Sequence, residues 1–479
     1  MKKMLNTRIL IVGHGAGLVG GDRYMFDQAI LLSKNQYHVE CIAFETGQLE
    51  NLYKQNEIPF SVHTIASMDN KKIRSLIEDF DVVIANTIYT IFFAYIAQKY
   101  KPTMLILHDC LSYMNNIINC VPLTYKELKR IRYVYGVSEY HANILKRIGL
   151  KNVQVLNNFV TDEYNPSCSN ENNIKVKFLT VANWNIVKGY DLALKALKNL
   201  SQKEKEQIEW HIVGKMEEED KCKKFRDEIA KEKWIVTHGV IEDKKKLHDL
   251  YIRSDVYLHM SREDACPLAV VDAAMLQKPL IVSKDTGANY LTKKGAGWIV
   301  DEYDCRSILI AIREAIKYKN KLVDMGKVAR KNYLENATSE VYIQSLVQSF
   351  NHIIQKDIVD KVKKYNGIFN DKNSSNLKIA LYGYNIYTQI EQFYINKYRN
   401  YELIGIYDRA YEKFQNQGIN IKNPSDLNNK DIDYVCIYCV YESNIQSIMH
   451  YLIEREIPKE KIKIGTKFVV ELMETRKLK

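Results

Sequence analysis

The feature that most constrains the fold is the alternation of short, β-rich apolar runs with longer segments of helical period along the whole chain. This alternation is typical of parallel α/β sheets, in which a helix connects each strand to the next. Three successive series of runs predict strands at 9–12, 39–43, 82–85, 104–107, 133–137 and 153–156; at 177–181, 209–213, 235–238, 256–259, 279–282 and 297–300; and at 378–382, 402–407, 434–438 and 461–464.

At 479 residues the chain is too long for one ordinary hydrophobic core. The strand series predict one domain over 1–165 and a second over 166–365. A polar linker over 366–376 then leads to a third, small Rossmann-like domain over 377–479. Two doubly wound halves that meet near residue 165 would leave a cleft between the carboxyl ends of their strands, which is where such sheets bind ligands.

Composition narrows the class of protein. No uncharged apolar run reaches the roughly 18 residues of a membrane span, and the first apolar run is too short for a signal-peptide core. Nine scattered cysteines fit free thiols in a reducing cytoplasm. The net charge of +11 suits phosphate-bearing ligands or an anionic membrane surface. Because no basic tail, zinc-finger or RNA-binding signature occurs, nucleic acid is not expected as a partner.

The strongest local signal is the acidic segment 261–275, SREDACPLAVVDAAM, which follows a predicted strand and opens a helix. Asp264 lies on the entry loop, and the free amides of Leu268 and Ala269 could face an anion at the helix N-terminus. Asp272, eight residues after Asp264, would place a second carboxylate near hydroxyl groups. The alternative is that the acidic residues only cap the start of the helix and its far turn.

Two further loops follow predicted strands. In the segment 181–191, VANWNIVKGYD, Lys188 could reach the cleft and neutralise a diphosphate leaving group, although it could equally be a solvated surface lysine. Near the N-terminus, five glycines between Gly13 and Gly21 let the backbone approach a ligand closely. The glycine loop is too long for a dinucleotide fingerprint.

Taken in order, these segments resemble the large retaining GT-B glycosyltransferase family, the glycosyl transferases group 1 or family 4-like enzymes. The resemblance covers roughly residues 8–350 and implies two Rossmann-like domains that face each other across a cleft. It implies catalytic roles for Lys188, Asp264 and His108. It implies contacts to the donor from Gly20, Gly21, Asn183, Gly239, Val240, Glu263, Pro267, Leu268, Ala269 and Asp272.

The same resemblance gives each group a role. Asp264 or the adjacent Glu263 lies near the donor sugar, Asp272 binds the ribose, and Gly239 with Val240 lies against the nucleobase. Lys188 binds the diphosphate. Asn183 occupies a position where the family usually has an arginine, and both acidic positions hold Asp here instead of Glu.

The function implied is retaining, metal-independent transfer of a hexose-type sugar from a UDP- or GDP-linked donor. The acceptor would be a glycan, a glycolipid or a protein, in bacterial surface polysaccharide or glycoconjugate synthesis. No cofactor is expected. Two D-x-D triplets, 79–81 and 431–433, precede predicted strands and are interpreted as polar strand entries without a metal.

Two rival functions remain. The chain could bind sugar nucleotides without turnover, since Asn183 and the two shortened acids weaken the family pattern. It could also be a nicotinamide-dependent sugar-modifying enzyme acting through the third domain. There Gly383 is one glycine of the usual three, and Asp408 follows the second strand, but Asn385 and Tyr387 would hinder a pyrophosphate.

A basic segment from Lys126 to Lys151 carries seven Lys or Arg residues and two acids, interleaved with apolar residues. It is either a solvated face over the core or a contact surface for an anionic membrane. The expected location is therefore the cytoplasm, with peripheral binding at the inner face of the cell membrane as the further expectation.

Overall fold

The structure is a computed structural model that describes residues 7–17, 20–118, 125–165, 174–215, 220–363, 377–384, 388, 392, 401–416, 418–438 and 442–464. The chain divides into two compact units, Met1–Phe350 and Asn351–Lys479. Among the described residues, no helix is both long and apolar enough to cross a membrane.

The first sheet of the first unit has seven parallel strands in the order β3-β2-β1-β4-β5-β6-β7. These strands are Arg8–Val12 (β1), His38–Ala43 (β2), Phe60–Val62 (β3), Val82–Asn86 (β4), Thr103–Leu107 (β5), Val134–Gly136 (β6) and Val153–Val155 (β7). β4 and β5 are buried along their whole length, as expected for parallel strands covered by helices on both faces. The helices are Gly20–Lys34 (α1), Leu49–Gln55 (α2), Asn70–Ile77 (α3), Ile91–Ala97 (α4), Leu111–Ile118 (α5), Tyr125–Leu128 (α6) and Glu139–Arg147 (α7).

The second sheet of this unit has six parallel strands in the order β10-β9-β8-β11-β12-β13. They are Val176–Val181 (β8), Ile208–Val213 (β9), Ile235–Gly239 (β10), Val256–His259 (β11), Leu280–Ser283 (β12) and Gly297–Val300 (β13). The helices are Tyr190–Lys198 (α8), Gln202–Lys205 (α9), Asp220–Ile229 (α10), Lys244–Arg253 (α11), Leu268–Met275 (α12), Cys305–Lys317 (α13) and Leu322–Asn336 (α14). The helix Ser339–Lys363 (α15) begins in this unit and continues past its last residue, Phe350.

The other unit contains a four-stranded parallel sheet in the order β15-β14-β16-β17. Its elements are Leu377–Tyr382 (β14), Tyr401–Tyr407 (β15), Tyr411–Gln415 (α16), Tyr434–Ile437 (β16), Glu442–Glu454 (α17) and Ile462–Ile464 (β17). Alternate residues of β14 lie in two separate apolar clusters, Ala380 with Tyr382 and Ile379 with Leu381. Both faces of this sheet are therefore covered, as in the larger sheets.

Each of the three sheets contains the same aspartate arrangement at its two middle strands. An aspartate lies just before one strand, and its carboxylate accepts a hydrogen bond from the backbone N–H of a residue at the start of the adjacent strand, at 2.8, 2.8 and 2.7 Å. The backbone N–H of the aspartate donates to the carbonyl oxygen of that same residue. The pairs are Asp81 with Arg8, Asp255 with Lys177, and Asp433 with Lys378. The final aspartates of both D-x-D triplets thus have a structural role at strand entries.

The sequence predicts the α/β class and all strands of these sheets except β3, within a few residues. β3 escapes prediction because it is only three residues long, and all three are half-buried, so it has neither an apolar run nor a clear alternation. The predicted domain boundaries stay a proposal.

Candidate active site

Lys188 lies at the carboxyl edge of the second sheet, in the 3₁₀ turn Ile186–Lys188 between β8 and α8. The turn begins at Asn185, whose side-chain oxygen accepts a hydrogen bond from the Lys188 amide at 3.1 Å. It ends at Gly189, which has a φ of 65° and where a Cβ would lie 1.7 Å from the carbonyl oxygen of Met260. Only glycine suits this position. The close approach packs the turn against the end of β11.

Lys188 forms an ion pair with Asp264, the Nζ and Oδ2 atoms lying 2.5 Å apart. Nε2 of His259, the last residue of β11, lies 3.3 Å from the same carboxylate oxygen. Burial alone would raise the pKa of Asp264, but Lys188 and His259 hold it well below its usual range. Burial likewise opposes the charge of Lys188, and the Asp264 carboxylate raises its pKa nevertheless. At neutral pH both partners are therefore ionised.

The backbone of the acidic loop is fixed from two sides. The Asp264 amide donates to the Asp285 carbonyl at 3.0 Å, and the Gly287 amide donates to the Asp264 carbonyl at 2.8 Å. The Arg262 guanidinium binds both carboxylate oxygens of Asp191, at 2.9 and 2.7 Å. Since Asp191 belongs to α8, this bidentate pair ties the acidic loop to the helix that follows Lys188.

Glu263 points away from Lys188 and toward the first sheet. Its carboxylate accepts hydrogen bonds from the backbone amides of Leu111 and of Ser112, the latter at 3.2 Å. These amides begin α5, so Glu263 caps a helix of the opposite half of the unit and complements its dipole. The structure therefore separates two adjacent acids: Asp264 faces the lysine, and Glu263 crosses the cleft.

The helix α12 begins directly after this loop. Pro267 is its N-cap residue, and Leu268 and Ala269 carry its first amides. Asp272 lies in the same helix, half-buried near charges of both signs. Burial raises the pKa of Asp272 to about 7, so it titrates near neutrality.

The glycine loop of the first half is held by Asp22. The Asp22 carboxylate accepts from the amides of Gly15 and Gly17, at 3.2 and 2.9 Å. Gly20 and Gly21 begin α1, and a Cβ on Gly20 would meet no atom of the described residues within 4 Å. Among those residues, none covers Gly20.

His108 follows β5 at the carboxyl edge of the first sheet. Its Nε2 lies 3.3 Å from the side-chain oxygen of Asn86, and its ring packs on Tyr24 with centroids 4.2 Å apart. Burial, and the nearby ring of His141, lower the pKa of His108 to about 3. His108 is therefore neutral at physiological pH.

Asn183 is part of a loop junction. Its side-chain oxygen accepts from the Lys215 amide at 3.2 Å, which ties the loop after β8 to the loop after β9. Gly239, with a φ of 65°, and the exposed Val240 border a cavity of about 490 Å³. Lys215, Arg226 and Thr237 are among its lining residues.

Three features of the site were not predicted from the sequence. His259 supports Asp264 and could have been found from its place at the end of the strand that leads into the acidic segment. Lys215 and Arg226 line the cavity beside Gly239, but α10 and the loop after β9 carry no motif that indicates this. The capping role of Glu263 depends on a partner about 150 residues away and gives no local signal.

Comparisons with known proteins agree with this architecture. Residues 165–332 match the family described as glycosyl transferases group 1. The fold is similar to that of HepE from Anabaena, solved with UDP and glucose, with a TM-score of 0.61 and 18% identity over 72% of this chain and 100% of that one. The fold is also similar to that of a glycosyltransferase from Rickettsia africae, with a TM-score of 0.60 and 16% identity over 73% of this chain and 99% of that one.

The lipopolysaccharide outer core galactosyltransferase WaaB, in its apo form, gives a TM-score of 0.55 and 14% identity over 73% of this chain and 100% of that one. No curated protein matches the chain significantly. At these identities the solved structures show the fold, and the matched segment 165–332 holds Lys188, Asp264 and Asp272. The protein therefore has the GT-B fold, and its residues 165–332 match the glycosyl transferases group 1 family.

Proposed function

We propose that this protein is a retaining glycosyltransferase that moves a hexose-type sugar from a UDP- or GDP-linked donor to a glycan, glycolipid or protein. The observation that carries the proposal is the Lys188–Asp264 ion pair at the carboxyl edge of the second sheet. It lies inside the segment that matches the glycosyl transferases group 1 family. In this proposal residues 166–365 form the donor domain and residues 1–165 the acceptor domain.

Lys188 is suited to a diphosphate because it is charged and held in place. Its turn is fixed by Asn185 and Gly189 and its ammonium by Asp264, so little conformational freedom is lost when a phosphate binds. A donor phosphate would share the ammonium with Asp264, and the first amides of α12 and of Gly21 would add donors without moving. Preorganised donors of this kind act most strongly where charge develops during reaction.

The proposed chemistry assigns a role to each of these contacts. The bond between the anomeric carbon and the diphosphate breaks, and its electron pair leaves with the phosphate, where Lys188 stabilises the charge. The acceptor oxygen attacks from the same face, and its proton passes to the departing phosphate. Asp264, ionised beside Lys188 and His259, would meet the sugar hydroxyls, and neutral His108 would bind them from the other side of the cleft. No metal takes part.

The nucleoside part of the donor fits the remaining residues. Asp272 would accept hydrogen bonds from the ribose hydroxyls, and the cavity beside Gly239 and Val240 would take the base. HepE was solved with UDP, which supports a uridine donor for a protein of this fold.

The strongest rival is a protein that binds sugar nucleotides without turnover. Asn183 favours it, because its side chain is used in the bond to Lys215 and brings no second cation to the diphosphate. The nicotinamide-dependent rival is weaker. Both carboxylate oxygens of Asp408 accept bonds from the backbone amides of Tyr384 and Ala410, each at 2.7 Å, while Asn385 and Tyr387 lie outside the described residues.

Release of nucleoside diphosphate from a panel of UDP- and GDP-sugars tests the proposal. Turnover with one donor, in the presence of EDTA, would support a metal-independent transferase, and the α or β configuration of the product by NMR would test retention. Tight donor binding without any release, with or without acceptor, would favour the binding protein instead. A synthesis role at a bacterial surface and a place at the inner membrane face are part of the same proposal.

A further inference from the structure

A cluster of three aromatic rings, one exposed and two partly buried, lies at the point where the first sheet reverses its strand order. β1 and β4 are neighbours, with β2 and β3 on one side and β5 to β7 on the other. A crevice forms at such a switch point, beyond the carboxyl ends of the strands. His14 follows β1 and Tyr89 follows β4, and their rings stack with centroids 3.7 Å apart and planes 24° apart.

Tyr113 meets the Tyr89 ring edge-on, with the two planes 62° apart. It lies on α5, after β5, and its hydroxyl is 3.1 Å from that of Tyr89, with the ring centroids 6.3 Å apart. Tyr113 is 44% exposed, among the larger apolar side chains that the described structure leaves in solvent. We refer to His14, Tyr89 and Tyr113 as the aromatic platform. None of these three residues has a role in the donor site proposed above.

Carboxylates border the aromatic platform. Glu45, which follows β2, lies 3.3 Å from Nε2 of His14. Asp109, which follows β5, accepts a hydrogen bond from the Ile88 amide at 2.7 Å, and burial raises its pKa to about 6. The rings offer flat apolar faces, and the carboxylates accept hydrogen bonds from hydroxyl groups. This combination fits a neutral polyhydroxylated ring better than a phosphate or a lipid chain.

The aromatic platform is close to the Lys188–Asp264 pair. Cys110 joins Asp109 to α5, and burial together with the carboxylates of Glu263 and Asp264 raises the pKa of its thiol. Glu263 also binds the first two amides of α5, those of Leu111 and Ser112, which directly precede Tyr113. A molecule on the platform would thus lie in the same cleft as the proposed donor sugar.

We propose that the aromatic platform binds a pyranose ring of the acceptor, so that the acceptor is a saccharide or the sugar end of a glycoconjugate. This inference rests on the proposed function and names its substrate class. A hydroxyl of the bound pyranose would supply the oxygen that joins the anomeric carbon, while its proton passes to the leaving diphosphate. The ring would stack on Tyr113 and Tyr89, with Glu45 and Asp109 on its hydroxyls.

The test compares variants of the full-length protein in acceptor-dependent release of nucleoside diphosphate. The acceptor probes are glucose, galactose, N-acetylglucosamine and their disaccharides. We expect Tyr113→Ala and Tyr89→Ala each to raise the acceptor KM about tenfold, the scale of one aromatic contact with its buried area. Hydrolysis of the donor by water should stay unchanged. Tyr113→Phe, which keeps the ring, should stay within about threefold of wild type.

Tyr100→Ala is the matched control, because Tyr100 lies near the amino ends of the strands and bonds Asn70 at 3.0 Å. It should not change the acceptor KM. Equal acceptor KM values in wild type and both platform variants would overturn the inference. So would a wild-type protein that releases nucleoside diphosphate but is stimulated by none of the saccharides, a result that would leave the proposed donor chemistry intact.

A binding measurement keeps the two proposals apart if no donor is turned over. Saturation-transfer NMR detects contact between the protein's aromatic protons and the ring protons of a saccharide without any reaction. A signal in wild type that is lost in Tyr113→Ala and retained in Tyr113→Phe supports the aromatic platform even when turnover fails. Absence of the signal in wild type with every saccharide contradicts it.

Discussion

Lys188 and Asp264 are 76 residues apart in the sequence, yet their charged atoms lie 2.5 Å apart at one edge of the second sheet. Each comes from a loop that follows a strand, β8 and β11, and these strands are neighbours in the sheet. The Gly189 turn and the Arg262–Asp191 pair fix the two loops against each other. The ion pair is therefore a product of the parallel topology and needs no local sequence contact.

Replacing Lys188 tests the charge at the diphosphate. We expect Lys188→Ala to lower turnover about 10²-fold or more, the usual effect of losing one group that stabilises charge in the transition state. Lys195→Ala, on the exposed face of α8, is the matched control and should behave as wild type. Thermal unfolding checks that both variants fold. Normal turnover by a folded Lys188→Ala protein would remove this lysine from the site.

Asp264 and Asp272 should contact different parts of the donor. Asp272→Ala is expected to weaken nucleoside diphosphate and nucleotide sugar alike, because its carboxylate would bind the ribose that both share. Asp264→Ala should weaken the nucleotide sugar more, because only that ligand carries the sugar. Calorimetric titration of both ligands measures this, with the exposed Asp249→Ala as control. Identical affinities in wild type and both variants would contradict the assignment.

Donor affinity should depend on pH through Asp272. Burial raises the pKa of this carboxyl from its ordinary 3.8 to about 7, so it is mostly protonated at pH 6 and ionised at pH 8. Only the ionised form is a pure acceptor for ribose hydroxyls, so affinity should rise about tenfold over this range. A nucleotide sugar is the suitable ligand, since it has no terminal phosphate monoester to titrate. The pH dependence should vanish in Asp272→Asn.

Ionisation of Asp272 should lower the free energy of unfolding, although it should raise the affinity for the donor. Between pH 3.8 and about 7 the folded protein holds a proton at Asp272 that the unfolded chain has released. The contribution of Asp272 to the free energy of unfolding therefore falls as the pH rises through that window. An Asp272→Asn protein should lose less stability than wild type between pH 5 and pH 8. A wild-type curve parallel to that of the variant would show that Asp272 has an ordinary pKa.

The strand pattern was sufficient to predict the three sheets because parallel strands buried on both faces are continuous apolar runs. The acidic segment and the lysine loop were also recognisable, since both follow strands that end at the same sheet edge. Side-chain partners that are distant in the sequence were not recognisable. Nothing near Glu263 indicates that it caps α5, and nothing near Asn183 indicates its bond to the Lys215 amide. Such contacts depend on how loops of different strands meet.

The Glu263 cap gives a prediction about the junction between the two halves. Glu263→Ala leaves the first two amides of α5 without their carboxylate, which should lower the free energy of unfolding by about 1 kcal/mol. Because α5 carries Tyr113, the acceptor KM should rise as well, with little change in donor affinity. Glu263→Gln keeps one acceptor oxygen and should show a smaller loss. Chemical denaturation and acceptor kinetics measure the two effects separately.

The basic segment from Lys126 to Lys151 makes a prediction about the membrane. In the structure its apolar residues Leu128 and Leu145 are buried, whereas the charged residues are exposed: Lys129, Arg130, Lys146 and Arg147. A Cβ on Gly149 would lie 3.1 Å from the Lys129 ammonium, so the Lys129 side chain lies beside the end of α7. The apolar residues therefore belong to the core, and only electrostatic attraction is left for a membrane.

Basic side chains near an anionic leaflet contribute about 1 kcal/mol each, so four of them suffice for reversible binding. We expect the protein to sediment with anionic vesicles at low salt and to be released from them by high salt. It should not sediment with neutral vesicles. Changing the four exposed residues to Glu should abolish sedimentation, while Lys203→Glu, an exposed lysine on α9, should not. If wild type fails to sediment with anionic vesicles even at low salt, the acceptor is a free saccharide or a protein-linked glycan and not a lipid-linked one. The aromatic platform would be unaffected, because it binds the sugar end of either kind of acceptor.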